Sequence, residues 1–323
     1  MLENRKKIIV GRFAPTPSGF IHLGNAFCCL LAWLYAKSTG GRIILRIEDL
    51  DQQRCTRARS DALAEELEWL GLTWDEGAYI SIDGSNYFQS ARSDVYEHYF
   101  ENLQSCNLIY PCFCSRGELH SAQAPHASDG RVIYKGTCRM LTTKQREEKA
   151  ALRVPAWRLK VEDKPIVFMD EHYGKQSFSL ANEWGDFIVR RSDGIFAYQL
   201  AVAVDDALMG VTQVVRGCDL LSSTPAQLYI YELLGLTAPA FCHIPLLISS
   251  DGRRLSKRDG DLEISVLRKY FGTPEPIIGL LAYLAGQLPK PEAISAKELL
   301  PLFNAAKIPR ENVTVPDDYL SIN

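Results

Sequence analysis

Three groups of side chains in this chain have types and spacings that could do chemistry. The first lies in Gly11-Arg12-Phe13-Ala14-Pro15-Thr16-Pro17-Ser18-Gly19-Phe20-Ile21-His22-Leu23-Gly24-Asn25. An imidazole at His22, beside a helix start, can donate to a phosphate, and Gly24 leaves room for an adenine ring against the backbone. The second is the basic loop Arg254-Leu255-Ser256-Lys257-Arg258, flanked by Gly252 and Gly260. There Lys257 supplies a cation that can close over the charge growing on a departing pyrophosphate. The third is Cys112, Cys114 and Cys138, spaced like metal ligands around a polar loop. Four nitrogen or sulfur ligands satisfy tetrahedral zinc, so His120 or His126 in that loop would complete a site, and the phenol of Tyr134 stands beside them.

Such groups work only where strands end. Ile8-Ile9-Val10 predicts a buried strand, the prolines and glycines after it a tight turn, and Ala26 to Ala36 a helix. At that junction unpaired N–H groups and the positive end of the helix dipole converge, which suits phosphate oxygens. Gly40-Gly41 punctuates, and Arg42 to Ile47 reads as a second strand ending in Glu48-Asp49-Leu50-Asp51. Strand, helix, strand implies a right-handed parallel crossover and hence a doubly wound parallel α/β sheet. Ligands then sit at the carboxyl ends of the strands, which puts Glu48 on one rim with Arg12 and His22.

Leu63, Leu67 and Leu70 mark a packing helix stopped by Gly71, and Tyr96, Tyr99, Phe100 and Leu103 mark another. Residues 110–139 read as a polar insertion, and Val154 to Phe168 as a strand pair returning to the core. Val211 to Val215 predicts a strand delivering Arg216, and Ile244 to Ile248 a last strand opening into the basic loop. Beyond Leu262 the chain reads helical to about Phe303, broken at Pro274, Pro276 and Pro289.

A chain of 323 residues with 46% apolar content supports a sizeable core and one principal fold with appendages. Its net charge of -3 leaves any basic surface local. No run reaches the length of a membrane span, and Met1 to Lys7 leads into a strand, so a cytoplasmic protein without membrane partners is expected. Of the nine cysteines, Cys28, Cys29, Cys218 and Cys242 lie in apolar segments and read as core residues.

His22-Leu23-Gly24-Asn25 resembles the first signature of class I aminoacyl-tRNA synthetases, His-Ile-Gly-His, with asparagine in the last place. Arg254 to Arg258 resembles the second, Lys-Met-Ser-Lys-Ser, with Ser256 and Lys257 retained. Gly11 to Gly19, Arg46-Ile47-Glu48-Asp49-Leu50-Asp51, Phe196-Ala197-Tyr198-Gln199-Leu200-Ala201 and Val215 to Leu221 resemble the glutamyl branch. That resemblance implies that Arg12, Thr16, Ser18, Glu48, Tyr198 and Arg216 form a glutamate site, and that His22, Gly24 and Lys257 serve ATP. His22 and Lys257 would act in catalysis. The chemistry agrees, because two carboxylates and one ammonium call for two guanidinium forks and an opposing carboxylate.

Cys112-Phe113-Cys114 with Tyr134-Lys135-Gly136-Thr137-Cys138 resembles the structural zinc site of glutamyl-queuosine tRNA(Asp) synthetases, which favours Tyr134 over His120 or His126 as fourth ligand. The resemblance implies a nucleotide-binding catalytic domain over 1–109 and 140–257, a zinc-bearing insertion over 110–139 and a helical segment over 258–323. Full glutamyl-tRNA synthetases continue much further, into anticodon-reading domains. The expected activity is formation of glutamyl-adenylate from L-glutamate and ATP, with magnesium on the phosphates, and transfer of glutamate to queuosine in tRNA(Asp). The alternatives are a shortened glutamyl-tRNA synthetase charging the acceptor end, or a catalytically silent RNA-binding paralogue.

Overall fold

The computed structural model describes residues 8–80, 86–119, 133–253, 255 and 263–316. Strand β1 (Val10–Phe13) pairs in parallel with β2 (Arg42–Leu45), and β2 with β3 (Glu76–Gly77). The first strand starts at the end of the predicted Ile8-Ile9-Val10 run and continues through Arg12. Gly11 is therefore a strand residue and not part of the turn. A Cβ there would meet Ile43 Cδ1 at 3.0 Å and Ala36 Cβ at 3.4 Å, so the glycine lets the following helix lie close on the sheet. That helix, α1 (Leu23–Lys37), begins three residues earlier than its apolar run suggests because His22 caps it.

Strands β4 (Ile109–Cys112), β5 (Ala156–Leu159), β6 (Pro165–Asp170), β7 (Gly174–Ser179), β8 (Phe187–Arg190), β9 (Gln213–Gly217) and β10 (Ala240–Ile244) follow. β10 lies parallel between β9 and β6, with β7 antiparallel at the edge. The two half-sheets meet where Thr212 N donates to Val10 O at 2.9 Å and Arg12 Nη1 to Val215 O at 3.4 Å. Both contacts advance in the same sense along β1 and β9. The result is a doubly wound, mostly parallel sheet whose connectivity reverses between β1 and β9, and at such a point the carboxyl ends diverge into a crevice. Apolar clusters cover both faces. One is built on α1 and the helix Glu275–Leu284, the other on the helices Tyr198–Leu208 and Thr224–Leu234.

Two sequence readings change. Val154 to Phe168 is not a strand pair: β5 lies antiparallel between β4 and β8, while β6 folds back on β7 through a tight turn closed by Gly174 at φ 78°. Ile244 to Ile248 is not one strand, because Pro245 and Leu246 separate β10 from the short β11 (Leu247–Ile248), which pairs with β12 (Val313–Thr314). Pro276 also starts the helix Glu275–Leu284 rather than breaking it, since the first turn has no use for its missing N–H. Among the described residues, no helix is long and apolar enough to cross a membrane.

Helix α2 (Arg57–Trp69) buries Glu66, whose Oε2 accepts from Ile21 N at 3.2 Å and so braces the turn before His22. Burial pushes this carboxyl up to about 7; the Ile21 N–H and Arg268 oppose the rise and Glu263 adds to it. The folded state therefore holds a proton that the unfolded chain has released, and stability falls as pH rises from 4.5 through 7. Glu66→Gln should remove that component. Its melting temperature relative to the parent should climb by roughly 2 °C between pH 5 and pH 8, and parallel melting-versus-pH curves would refute the assignment.

Candidate active site

The crevice between β1 and β9 gathers Arg12, His22, Gly24, Glu48, Tyr198 and Arg216 on one cavity wall, with Leu255 of the basic loop beside them. His22 is the N-cap of α1: its Nδ1 accepts from Asn25 N and its own N–H donates to Asn25 Oδ1, both at 3.4 Å. This assigns a part to the asparagine that departs from the family's signature, since it closes the capping box. An accepting Nδ1 leaves the ring proton on Nε2. A Cβ at Gly24 would lie 3.1 Å from His22 Cε1, so the glycine seats the imidazole over the helix start.

Thr16 and Ser18 are not on the cavity wall. Thr16 is exposed and its carbonyl accepts from Ser18 N at 2.8 Å. Their turn instead braces the site, because Pro15 O accepts from Glu48 N at 3.0 Å. Cys28 and Cys29 are half-buried on the wall rather than in the core, because the first turns of α1 face the crevice. Cys218 is half-buried as well, and Cys242 alone of those four is a core residue. Lys257 lies outside the described residues. The chain on either side of it is pinned to the crevice, Leu255 N donating to Leu247 O at 3.3 Å and Glu263 pairing with His22.

Beneath the wall lies a buried ion cluster that sequence reasoning did not assign. Arg46 is fully buried; its Nη2 meets Glu48 Oε1 at 3.0 Å and its Nη1 meets Asp206 Oδ1 at 2.6 Å, while Nε is 3.9 Å from Asp205. Burial alone would lower its proton affinity, but Asp206, Glu48 and Asp205 raise it well above the ordinary guanidinium value. Asp205 also accepts from Arg92 Nε, Gln89 Nε2 and Tyr96 Oη, all at 2.8 Å. Arg12 Nε stands 3.5 Å from Asp206. Burial raises Glu48, against the pull of Arg46 and Arg12. Burial and Glu48 raise the phenol of Tyr198, against Arg216. The sequence signal was available: Asp205-Asp206 ends an apolar run, and a carboxylate pair inside a buried helix demands cations.

Arg216 stands at the end of β9 and is buried. Its Nε donates to His243 Nε2 at 3.0 Å and its Nη2 to Thr224 Oγ1 at 2.8 Å. Its buried Nη1 has no partner among the described residues, nor has Arg12 Nε a hydrogen bond. Burial pulls the Arg216 guanidinium down, with the nearby Tyr198 opposing. Two guanidiniums with unused donors and one buried carboxylate, opening on a capped helix start, can take an anionic amino acid beside a nucleotide phosphate.

The sulfurs of Cys112, Cys114 and Cys138 all lie within 4.8 Å of one another, a cluster able to hold a metal ion. The Tyr134 phenol oxygen is 3.5 Å from Cys112 Sγ, 3.6 Å from Cys114 Sγ, and accepts from Cys138 N at 2.8 Å. Arg158 on β5 donates from Nε to Cys112 Sγ at 3.2 Å and lies over the Tyr134 ring at 3.7 Å. Burial would raise the Cys112 thiol, but the Tyr134 hydroxyl and Arg158 outweigh it and the thiol is lowered. His120 and His126 lie outside the described residues.

The doubly wound sheet, with its capped helix start and an arginine-lined cleft at its switch point, is the catalytic domain of a class I aminoacyl-tRNA synthetase, an ATP-dependent ligase, as its relatives show. Residues 8–308 match the family described as tRNA synthetases class I (E and Q), catalytic domain, and the chain belongs to that family. It is 46% identical over 318 residues to the glutamyl-Q tRNA(Asp) synthetase of Symbiobacterium thermophilum, covering 97% of this chain and 98% of that one. It is 39% identical over 312 residues to glutamate--tRNA ligase 2 of Syntrophus aciditrophicus, covering 96% of this chain and 64% of that one. Among solved structures, a glutamate tRNA ligase from Elizabethkingia meningosepticum in complex with its amino acid superposes with TM-score 0.81 at 28% identity, over 97% of this chain and 68% of that one.

Arg46→Met should strand Glu48, Asp205 and Asp206 without their shared cation. A loss of about 3–5 kcal/mol in unfolding free energy is expected by urea denaturation. A change below about 1 kcal/mol would show that the carboxylates are satisfied without Arg46.

Proposed function

We propose that this protein activates L-glutamate with ATP and transfers the glutamyl group to queuosine at the wobble position of tRNA(Asp). The observation that carries the first step is the pair of buried guanidiniums, Arg12 and Arg216, lining the same cavity as Glu48. Glutamate carboxylate oxygens take the donors at Arg216 Nη1 and Arg12. The substrate ammonium takes Glu48, whose carboxylate Arg46 holds in place. The α-carboxylate then attacks the α-phosphorus of ATP, which arrives as its magnesium complex. A phosphorus–oxygen bond forms to glutamate and the bond to the pyrophosphate oxygen breaks. His22 and the N-terminus of α1 donate to phosphate oxygens, and the charge of Lys257 assists the departure of pyrophosphate. In the second step a queuosine hydroxyl attacks the acyl carbon, an ester forms, AMP leaves with the electrons of the broken acyl–oxygen bond, and the hydroxyl proton is released to solvent.

Support for queuosine as acceptor comes from relatives. The glutamyl-Q tRNA(Asp) synthetases of Symbiobacterium thermophilum and Nitratidesulfovibrio vulgaris each match at 46% identity over 97% of this chain. The test offers labelled glutamate and ATP with tRNA(Asp) from cells able or unable to make queuosine, and with tRNA(Glu). Label is expected only on queuosine-containing tRNA(Asp). Label on tRNA(Glu), or equal labelling of both tRNA(Asp) samples, would assign the chain to ordinary glutamate charging.

The cysteine cluster is proposed to hold one structural zinc through Cys112, Cys114, Cys138 and Tyr134. Three sulfurs and a phenol within contact distance are the donor set of a closed tetrahedral site. Arg158 then offsets the negative charge of four anionic ligands. Metal analysis should find zinc near one per chain, lost in Cys138→Ser. Tyr134→Phe should lose zinc to a competing chelator at roughly tenfold lower chelator concentration or less; retention equal to the parent would place the fourth ligand elsewhere.

A further inference from the structure

Arg216 is held by a relay at the ends of three neighbouring strands. Parallel pairing sets His243 of β10 directly beside Arg216 of β9, and Asp170 closes β6 on the far side of β10. Asp170, His243 and Arg216 are all buried, so water does not compete for their bonds. The hydrogen-bond directions are forced. Arg216 Nε can only donate, so His243 Nε2 at 3.0 Å must carry a lone pair. The ring proton then sits on Nδ1 and is donated to Asp170 Oδ2 at 2.6 Å. Asp170 Oδ1 accepts from His172 N at 3.0 Å and Tyr173 N at 2.8 Å, so the carboxylate serves purely as an acceptor.

We propose that Asp170 and His243 are positioning residues that orient Arg216 toward the substrate carboxylate while leaving its charge unneutralised. A carboxylate placed directly on Arg216 would fix the fork but would also compete with the ligand. A neutral imidazole between the two fixes Nε, Thr224 Oγ1 fixes Nη2 at 2.8 Å, and Nη1 is left without a partner among the described residues. The charge on Arg216 then separates a carboxylate ligand from its amide analogue. Burial agrees: it holds the His243 imidazole below its usual range, with Asp170 opposing and Arg216 reinforcing.

The inference rests on Arg216 being part of the glutamate site, and the experiment separates the two. Glutamate-dependent ATP–pyrophosphate exchange is measured for the parent, His243→Gln, His243→Asn and Asp170→Asn, with glutamate and with glutamine. No glutamate-dependent exchange by the parent would overturn the glutamate reading itself. Given parental exchange, His243→Asn, too short to span both partners, should raise the glutamate KM roughly tenfold or more, with kcat and the KM for ATP changed far less. Its preference for glutamate over glutamine should fall by a similar factor. His243→Gln, which can present an acceptor to Arg216 and a donor to Asp170, should stay within about threefold of the parent. Asp170→Asn should lie between them. A His243→Asn variant with parental glutamate KM, equal losses for ATP and glutamate, or His243→Gln no better than His243→Asn would overturn the relay. If His243→Asn fails to fold, the Asp170→Asn variant carries the same comparison, and an unchanged glutamate preference there would overturn it.

Discussion

The structure depends on burying a guanidinium. Arg46 sits where β2 leaves the sheet, and no side chain of its size and charge enters an interior unless carboxylates meet it there. The carboxylates come from the same turn, at Glu48, and from the helix Tyr198–Leu208, at Asp205 and Asp206. Asp205 in turn holds Arg92 and Tyr96 of the segment around Ser93–Ser105, so one charge cluster ties three regions distant in the chain. Arg12 joins through Asp206, and the cavity wall therefore stands on this network. Stability and function share these residues.

What could be read from the chain follows from how local each cause is. The strand, turn and helix around Arg12 and His22 are set by near neighbours: a strand, two prolines, a cap and an apolar helix within a short stretch. The Cys112, Cys114 and Cys138 grouping was legible for the same reason, since ligand type and spacing alone suggest it, whereas Tyr134 was singled out by the family resemblance. Arg46, Asp206, His243 and Asp170 were not assigned because their meaning lies in partners far along the chain, such as the pairing of Arg46 with Asp206 across 160 residues. A polar residue at the end of an apolar strand carries one signal whether it caps a loop or holds a buried arginine. Only strand register distinguishes them.

Local reading also misled in a specific way. Gly11 looks like a turn residue, yet it lies in β1 and its bare Cα admits Ala36 and Ile43. There glycine brings the helix and the sheet together. Val154 to Phe168 misled because two adjacent strands need not pair; Gly174 offers β6 a tighter hairpin partner than β5 can.

The placement of the two guanidiniums bears on which carboxylate of the amino acid each can hold. Adenylate formation needs the α-carboxylate as nucleophile, and a carboxylate gripped by two guanidinium forks has its lone pairs and charge withdrawn from attack. A dicarboxylic substrate resolves the conflict. Under the proposed function its side-chain carboxylate would sit with Arg216 and Arg12, while Glu48 would anchor the ammonium and so turn the α-carboxylate outward to the start of α1. On this reading the deep arginines are binding and specificity groups, and the charge that must stay reactive is kept away from them. Recognition is thus separated from reaction, under the proposed function, along the length of a single small molecule, with strand-end rigidity beneath Arg216 and a helix start above.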